Sequence, residues 1–187
     1  MRGLLSIAIF YLLSFQSYSQ SSDLKKIMLQ LDTMADGPVR GHFKNNVLAF
    51  SGEVVSGKMS EQWLFWNAQG VLKSNSFYEN GKKEGLEYLY DKEGRTLSKS
   101  NFSLGLLDGI YIEYYELFRP ALVGFYKQGK KDSVWTEYFP FGEISYTQNF
   151  KLNLQHGLQT HYYPNQEISR LEYYTYGIKS DQWTYYH

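Results

Sequence analysis

The chain has 187 residues, enough for one ordinary domain, and 19 basic residues balance 19 acidic ones to give zero formal charge. Because nucleic-acid binding requires a basic surface, this balance argues against a nucleic acid partner. The chain has no cysteine, which excludes disulfides, thiolate metal sites, cysteine nucleophiles and an N-terminal lipidated cysteine. Aromatic residues, mostly Tyr and Phe, make up 18% of the chain and favour strands over helices.

Residues 1–19 have the pattern of a secretory signal peptide. Arg2 supplies a positive charge, an apolar run follows, and Ser17 and Ser19 fit the small-residue positions of a cleavage site that would make Gln20 the new N-terminus. The pattern resembles signal peptides of Bacteroidetes-type Gram-negative bacteria. An uncleaved anchor is the alternative, although the apolar run is shorter than the ~20 residues that span a bilayer. We expect an exported protein that is periplasmic, outer-membrane-associated or extracellular.

Residues 20–36 are predicted to form a short helical cap. Asp23 can cap the helix N-terminus, and four apolar residues follow at helical spacing: Leu24, Ile27, Met28 and Leu31. We expect this helix to cover the first open strand edge of the sheet that follows.

A 24-residue repeat dominates the rest of the sequence. One column holds residues suited to positive φ: Gly57, Gly81, Gly105, Gly129, Asn153 and Gly177. Two further columns are aromatic throughout. The first contains Trp66, Tyr90, Tyr114, Tyr138, Tyr162 and Tyr186, and the second contains Tyr78, Phe102, Tyr126, Phe150 and Tyr174. The columns share one period without insertions, which is the signature of a repeat architecture.

Each unit is predicted to form a β-hairpin. In the unit from Gly109 the first strand covers residues 110–115, a turn covers 116–119, and the second strand covers about 121–126. The glycines Gly57, Gly81, Gly105, Gly129 and Gly177 are predicted structural turn residues, and Asn80-Gly81 suits a type I′ turn. The predicted fold is all-β, an elongated antiparallel hairpin array over residues 37–187 that forms an open single-layer ribbon or solenoid. Its first unit is degenerate and its last is half a unit.

Alternation within the first strand of each unit separates two faces. One face carries a regular apolar column: Leu86, Ile110, Val134 and Leu158. The other carries a mixed column: Trp63, Glu87, Tyr111, Trp135, Gln159 and Trp183. Because stacked repeats need a regular core, we expect the first face to be buried and the second to be partly exposed.

Several units resemble bacterial MORN-type repeats. The closest match is the stretch Tyr-Glu-Asn-Gly-Lys-Lys-Glu-Gly from Tyr78 to Gly85, and the units from Gly109, Ser133 and Gly157 share the aromatic and turn positions. The resemblance covers residues 57–187 and, more loosely, the chain from residue 37. It implies an antiparallel hairpin array without chemistry of its own, in a family of scaffolds, protein-partner modules and sometimes lipid-associated modules. One bacterial subgroup is described as antitoxins, a role that fits poorly with a signal peptide.

The sequence gives little indication of catalysis, and we expect no cofactor and no metal. The four histidines form no helical metal-binding motif. Glu113 and Glu137 occupy one column and should lie two strands, or about 9.6 Å, apart, near the separation of an inverting glycosidase pair. A repeat aligns such residues automatically, so two solvated glutamates are the simpler interpretation. We therefore do not expect an enzyme.

The mixed column provides the candidate binding residues Trp63, Tyr111, Trp135 and Trp183. Such a row of rings can anchor a protein or stack on sugars, and the alternative is that the rings pack on each other. The sequence favours a non-catalytic scaffold of the bacterial cell envelope that binds a protein partner. The alternative is an envelope module that binds a glycan or a lipid surface, and an antitoxin-like partner protein is less favoured. The two open edges of a ribbon also make edge-to-edge self-association plausible.

Overall fold

The computed structural model describes residues 33–186, and for residues 117 and 181–183 it describes the backbone only. The expected signal peptide and most of the expected helical cap lie outside these residues. The strands are β1 (Gly37–His42), β2 (Leu48–Val55), β3 (Lys58–Trp66), β4 (Leu72–Glu79), β5 (Lys82–Tyr90), β6 (Thr96–Ser103), β7 (Leu106–Tyr114), β8 (Pro120–Lys127), β9 (Lys130–Tyr138), β10 (Ile144–Lys151), β11 (Leu154–Gln155), β12 (Gly157–Tyr162), β13 (Ile168–Thr175) and β14 (Ile178–Tyr185). One 3₁₀ turn, Glu116–Phe118, lies between β7 and β8.

All of these strands belong to one open antiparallel sheet, in which neighbours along the chain are neighbours in space. β11 and β12 are two parts of one repeat strand, and both pair with β10. The all-β hairpin array predicted from the sequence is therefore confirmed for the described residues. The strands start earlier than predicted: β7 begins at Leu106, not at Ile110. Gly109, the first residue of the predicted unit, therefore lies inside β7 and not before it.

Two-residue turns join the strands along one end of the sheet, which we call the turn end. In each turn both central residues have positive φ, for example 50° at Asn80 and 79° at Gly81. This is the type I′ geometry, which matches the right-handed twist of the flanking strands. The Gly81 N–H then donates to the Met59 carbonyl of the preceding unit at 2.9 Å, and Gly105 does the same to Lys83. Consecutive turns therefore stack on one another.

A β-bulge interrupts each hairpin near the turn end. In the β4–β5 pair Ser76 opposes Glu87, but Tyr78 opposes Lys83, so β5 has extra residues. Gly85 lies in this bulge with φ of 70°, and Glu61 and Ser133 have φ of 59° and 61° at the same repeat position. Bulges bend a strand and increase its twist. The bulges lie in the turn-end part of β3, β5, β7, β9, β11–β12 and β14. We call the face of the sheet that carries Trp63 and Trp135 the inner face.

The inner face is the buried one, so the assignment of faces from the sequence is wrong. Trp63 is 0% exposed and Trp135 1% exposed, whereas Ile110 and Val134 on the opposite, outer face are 42% and 49% exposed. A single-layer sheet has no second layer to cover it, and on the inner face the side chains cover one another: Trp63 stacks on Phe50 and Phe65 with ring centres 5.9 Å apart. Regular apolar composition therefore did not indicate the core in this sheet.

Candidate interaction face

The mixed column chosen from the sequence lies on the inner face. Trp63 and Trp135 are buried, and Tyr111 is half-buried with its ring 5.7 Å from that of Trp135. For Trp183 the structure describes only the backbone, which pairs with Glu172. A buried indole cannot stack on a sugar without being uncovered. The hypothesis of an exposed aromatic column is thus wrong for Trp63 and Trp135.

The buried indoles donate hydrogen bonds to backbone carbonyls at the bulges, where the shift in register leaves these carbonyls without a partner on the neighbouring strand. Trp63 Nε1 donates to the Glu53 carbonyl at 3.1 Å. Three units further along, Trp135 Nε1 donates to the carbonyl of Phe125, at the same repeat position as Glu53, at 3.2 Å. In the next unit the side chain of Gln159 replaces the indole and donates to the Asn149 carbonyl at 3.3 Å. Because unpaired buried carbonyls are costly, this column stabilises the fold.

Residues of this column lie opposite small residues on the neighbouring strand, with glycine opposite tryptophan and serine opposite glutamate. A Cβ placed on Gly124 would lie 2.2 Å from Trp135 Cδ2, and one on Gly52 would lie 2.2 Å from Trp63 Cδ2. Where the column holds Glu87 instead, the opposing residue is Ser76, whose Oγ donates to Glu87 Oε1 at 2.8 Å. Lys83 also pairs with Glu87. Burial, with the charge of Glu87, raises the pKa of Tyr78 nearby.

The two carboxylates considered for catalysis lie on either side of buried Leu122. Leu122 on β8 pairs with Glu113 on β7 and with Glu137 on β9, which places the two carboxylates two strands apart. Glu113 accepts a hydrogen bond from the Tyr111 hydroxyl at 2.7 Å, and Glu137 accepts one from Gln148 at 3.1 Å. Each carboxylate thus has a partner of its own within the sheet.

The ionisation of this region reflects burial. Burial raises the pKa of Glu137, and Glu113 raises it further, although Lys131 opposes both effects. Burial lowers the pKa of Lys131, whose Nζ lies 4.0 Å from the centre of the Trp135 ring. Burial also raises the pKa of Tyr111, with Glu113 adding to the effect. These groups form a compact polar cluster against an aromatic wall.

A second ionic cluster lies near the C-terminal end of the inner face, around Glu172. Lys179 Nζ lies 2.8 Å and Arg170 Nε 3.2 Å from Glu172 Oε1. Burial raises the pKa of Glu172, but the hydrogen bond from Lys179 and the charge of Arg170 outweigh it, so the pKa is lowered. His161 stacks on Tyr146 at 3.9 Å between ring centres, and burial and Arg170 lower its pKa. The inner face is therefore aromatic at its N-terminal end and ionic at its C-terminal end.

The outer face has the features of an interaction surface. Its first row runs across the sheet near the turn end and contains seven apolar side chains that are 36–49% exposed: Phe77, Leu86, Ile110, Phe125, Val134, Leu158 and Tyr173. Asn101 and Asn149 complete this row between them. Asn101 Nδ2 donates to the carbonyl of Asp108 at 2.6 Å, so its amide is engaged by the bulge of the next strand.

A second row lies beside the first on the outer face and is also nearly free of charge. It contains Asn75, Tyr88, Lys99, Ile112, Val123, Thr136, Thr147, Thr160 and Leu171. Lys99 is the charged residue of the two rows, and its Nζ lies 5.9 Å from the centre of the Tyr88 ring. Beyond it, the tyrosine column of Tyr90, Tyr114, Tyr138 and Tyr162 follows on the same face by strand alternation.

The dimensions of the outer face suit a macromolecular partner. Nine strands from β4 to β13 span roughly 38 Å at about 4.8 Å per strand, and three side-chain rows give a width of roughly 18 Å. The area of this face, polar side chains included, is therefore on the order of 700 Å². It approaches the ~800 Å² that each partner contributes to a standard protein interface.

Residues 33–186 contain neither a metal-ion cluster nor a membrane-spanning helix. No group of three or more His, Cys, Asp or Glu side chains in this part of the chain is arranged to hold a metal ion. None of the described residues forms a helix that is both long and apolar enough to cross a membrane.

Comparisons with known proteins add little to this description. No protein family model matches the chain, and no curated protein matches it. Among solved structures, the chain is similar to a point mutant of S. aureus TarM, described as a complex with Fondaparinux, alpha-GlcNAc-glycerol and UDP, at 8% identity and a TM-score of 0.23. The match covers 90% of this chain and 32% of that one, so this chain spans about a third of its length. At this TM-score the likeness supports no argument about fold or function.

Proposed function

We propose that the protein is a non-catalytic scaffold of the bacterial cell envelope that binds a protein partner through its outer face. The observation that supports this proposal is the exposed apolar row of Phe77, Leu86, Ile110, Phe125, Val134, Leu158 and Tyr173 beside a nearly uncharged second row. Burial of such a row on binding contributes about 25 cal/mol per Å² of apolar surface removed from water. The MORN-type resemblance and the location in the envelope are parts of this proposal.

The outer face favours a protein over a glycan. The glycan alternative rested on an exposed column of Trp63, Tyr111, Trp135 and Trp183. Trp63 and Trp135 are buried and Tyr111 is half-buried. The exposed row holds four aliphatic and three aromatic side chains, and its polar groups are the Tyr173 hydroxyl and the amides of Asn101 and Asn149. Both amides donate to backbone carbonyls of the sheet, whereas a sugar-binding site needs polar groups that are placed to bind hydroxyls. A lipid surface remains the second candidate, because an apolar face can also lie on a membrane.

The test changes the centre of the outer face and compares it with an exposed phenylalanine outside that face. Phe125→Glu places a charge in the middle of the apolar row, where Phe125 is 40% exposed. Phe141→Glu is the matched control, because Phe141 is 84% exposed in the loop between β9 and β10. Both variants should keep the far-UV circular dichroism spectrum of the parent.

We expect the parent and Phe141→Glu to recover one protein in constant stoichiometry from envelope fractions, and Phe125→Glu to recover at least tenfold less. Equal recovery by all three proteins would refute the outer face as the binding site. Co-sedimentation with phospholipid vesicles that is lost in Phe125→Glu, without any protein recovered, would establish the lipid alternative instead.

A further inference from the structure

A cavity of about 660 Å³ lies at the N-terminal end of the outer face, between the turn that joins β2 to β3 and the turn that joins β4 to β5. Three exposed apolar side chains contribute to its lining: Val55, Phe77 and Leu86. Three carboxylates also line it: Glu61, Glu79 and Glu84. A ligand for this cavity should combine an apolar surface with positive charge.

One of the three cavity carboxylates, that of Glu84, already has a hydrogen-bond partner in the sheet. Glu84 accepts a hydrogen bond from the Leu104 N–H at 2.8 Å, so it stabilises the next turn as well. No lysine or arginine is among the described residues that line the cavity. Lys82 lies opposite Glu79 across the turn but is not part of the lining. The described lining thus carries carboxylates and no cationic side chain, which favours a cationic ligand.

Residues 24–31 of this chain have the matching chemistry. Leu24, Ile27, Met28 and Leu31 recur at helical spacing and form one apolar side, and the adjacent Lys25 and Lys26 carry two positive charges. No acidic residue interrupts the segment. Its apolar side suits the Val55, Phe77 and Leu86 lining, and its two ammonium groups suit the carboxylates.

The chain enters the described part of the structure next to this cavity. Asp36 Oδ1 accepts a hydrogen bond from the Ser56 N–H at 2.8 Å, and Ser56 directly follows Val55 in the cavity wall. Met34 packs on the inner face, against the core cluster that contains Val54 and Met59, so residues before it reach the cavity by passing around the turn that joins β2 to β3. Residues 32–35 span at most ~14 Å when extended, so residues 24–31 start within reach of the cavity.

We propose that residues 24–31 dock into this cavity, with their apolar side on Val55, Phe77 and Leu86 and with Lys25 and Lys26 at the carboxylates. This occupant is part of the same chain, so its effective concentration at the cavity is high and a weak contact is sufficient. The docked segment covers Phe77 and Leu86, the N-terminal end of the apolar row, and leaves Ile110 through Tyr173 accessible.

Engineered cysteine pairs test the proposal, because the chain has no cysteine of its own. One variant combines Met28→Cys with Leu86→Cys in the cavity. Its matched control combines Met28→Cys with Val134→Cys, which occupies the same repeat position two units further along the outer face. Leu86 and Val134 are 36% and 49% exposed, so neither substitution should prevent folding. A short bismaleimide then links the cysteines in dilute protein.

We expect the Leu86 pair to form an intramolecular cross-link at least tenfold faster than the Val134 pair. Replacing Lys25 and Lys26 with glutamate should lower the rate for the Leu86 pair several-fold and leave the Val134 pair unchanged. Equal rates for the two pairs would overturn the proposal. So would cross-linked dimers whose formation depends on protein concentration, since they would place the segment on a second copy.

A second measurement does not need a cross-link. The thiol of a single Leu86→Cys variant should react with iodoacetamide more slowly than the thiol of a single Val134→Cys variant. Adding Leu24→Ser and Ile27→Ser should raise the first rate several-fold and leave the second unchanged. Equal reactivity of Leu86→Cys with and without these two substitutions would show that the segment docks elsewhere, for example on the edge of β1, and would refute the proposal.

Discussion

The pairing of a small residue with a large one across the inner face makes a quantitative prediction for Gly124. This residue lies in β8 outside the positive-φ region, so only space limits its side chain. A Cβ at this position would lie 2.2 Å from Trp135 Cδ2, well inside contact distance with a buried indole. Overpacking a well-packed core typically costs about 1–3 kcal/mol, and we expect Gly124→Ser to lower the free energy of unfolding by about 2 kcal/mol.

The repeat itself supplies the compensating change. Two units earlier, Ser76 and Glu87 occupy the positions of Gly124 and Trp135, and Lys83 occupies the position of Lys131. Trp135→Glu alone should cost about 3–5 kcal/mol, because it removes a buried indole. In the double variant the new serine and glutamate can form the hydrogen bond seen between Ser76 and Glu87, and Lys131 is in place to pair with the glutamate. We therefore expect the double variant to be at least about 1 kcal/mol more stable than the sum of the single effects predicts.

Urea unfolding followed by far-UV circular dichroism gives the free energy of unfolding of the parent, of the Gly124→Ser and Trp135→Glu variants and of the double variant. Val134→Thr, on the exposed side of the same strand as Trp135, is the control and should change stability by less than about 0.5 kcal/mol. The reasoning fails if Gly124→Ser is as stable as the parent. It also fails if the single effects add to within about 0.5 kcal/mol, because independent sites behave in this way.

Three further substitutions test local features of the same sheet. Leu104→Asn creates an Asn-Gly pair at a type I′ turn, where Leu104 has φ of 52°. It should raise the free energy of unfolding by roughly 0.5 kcal/mol, and a lower free energy of unfolding would contradict the assignment of backbone strain to Leu104. Glu172→Gln should destabilise the protein at pH 7, because the lowered pKa of Glu172 contributes stability that is present above its unfolded-state pKa and is lost as pH falls through the folded-state value. Its difference from the parent should therefore shrink as the pH falls below about 5. Glu137→Gln should do the opposite and stabilise the protein at pH 7, because the pKa of Glu137 is raised and its charged form is disfavoured in the folded state. This gain should disappear below about pH 4, and a gain that does not depend on pH would refute the electrostatic explanation.

The sequence led to the wrong buried face because alternation separates two faces without showing which one is covered. Alternation showed correctly that Leu86 and Tyr88 share one face and that Trp63 and Phe65 share the other. Which face is covered depends on contacts between strands, such as the space that Gly124 leaves for Trp135. Gly85 lies in the bulge of β5 with a positive φ. A positive-φ glycine inside a strand was the available signal for a bulge.

The pairs that fill the inner face were also present in the sequence, but they were separated within it. Gly52 and Gly124 each precede a tryptophan by eleven residues, whereas Ser76 precedes Glu87 by the same distance. Comparing these two columns would have indicated contact between a small and a large residue. The outer row, by contrast, was read from the sequence as core because it is regular and apolar.

The sequence by itself determined the architecture. Strict 24-residue spacing, glycine or asparagine at every short turn and period-2 alternation define one antiparallel sheet, because these features act through local backbone geometry and neighbouring strands. Only the tertiary structure decided which face is buried. Trp63 and Trp135 are packed against neighbouring rings and lie opposite Gly52 and Gly124, whereas Ile110, Phe125 and Val134 are exposed on the outer face. This burial depends on contacts between side chains of different strands and units, such as that between Trp135 and Tyr111, so no single repeat unit shows it.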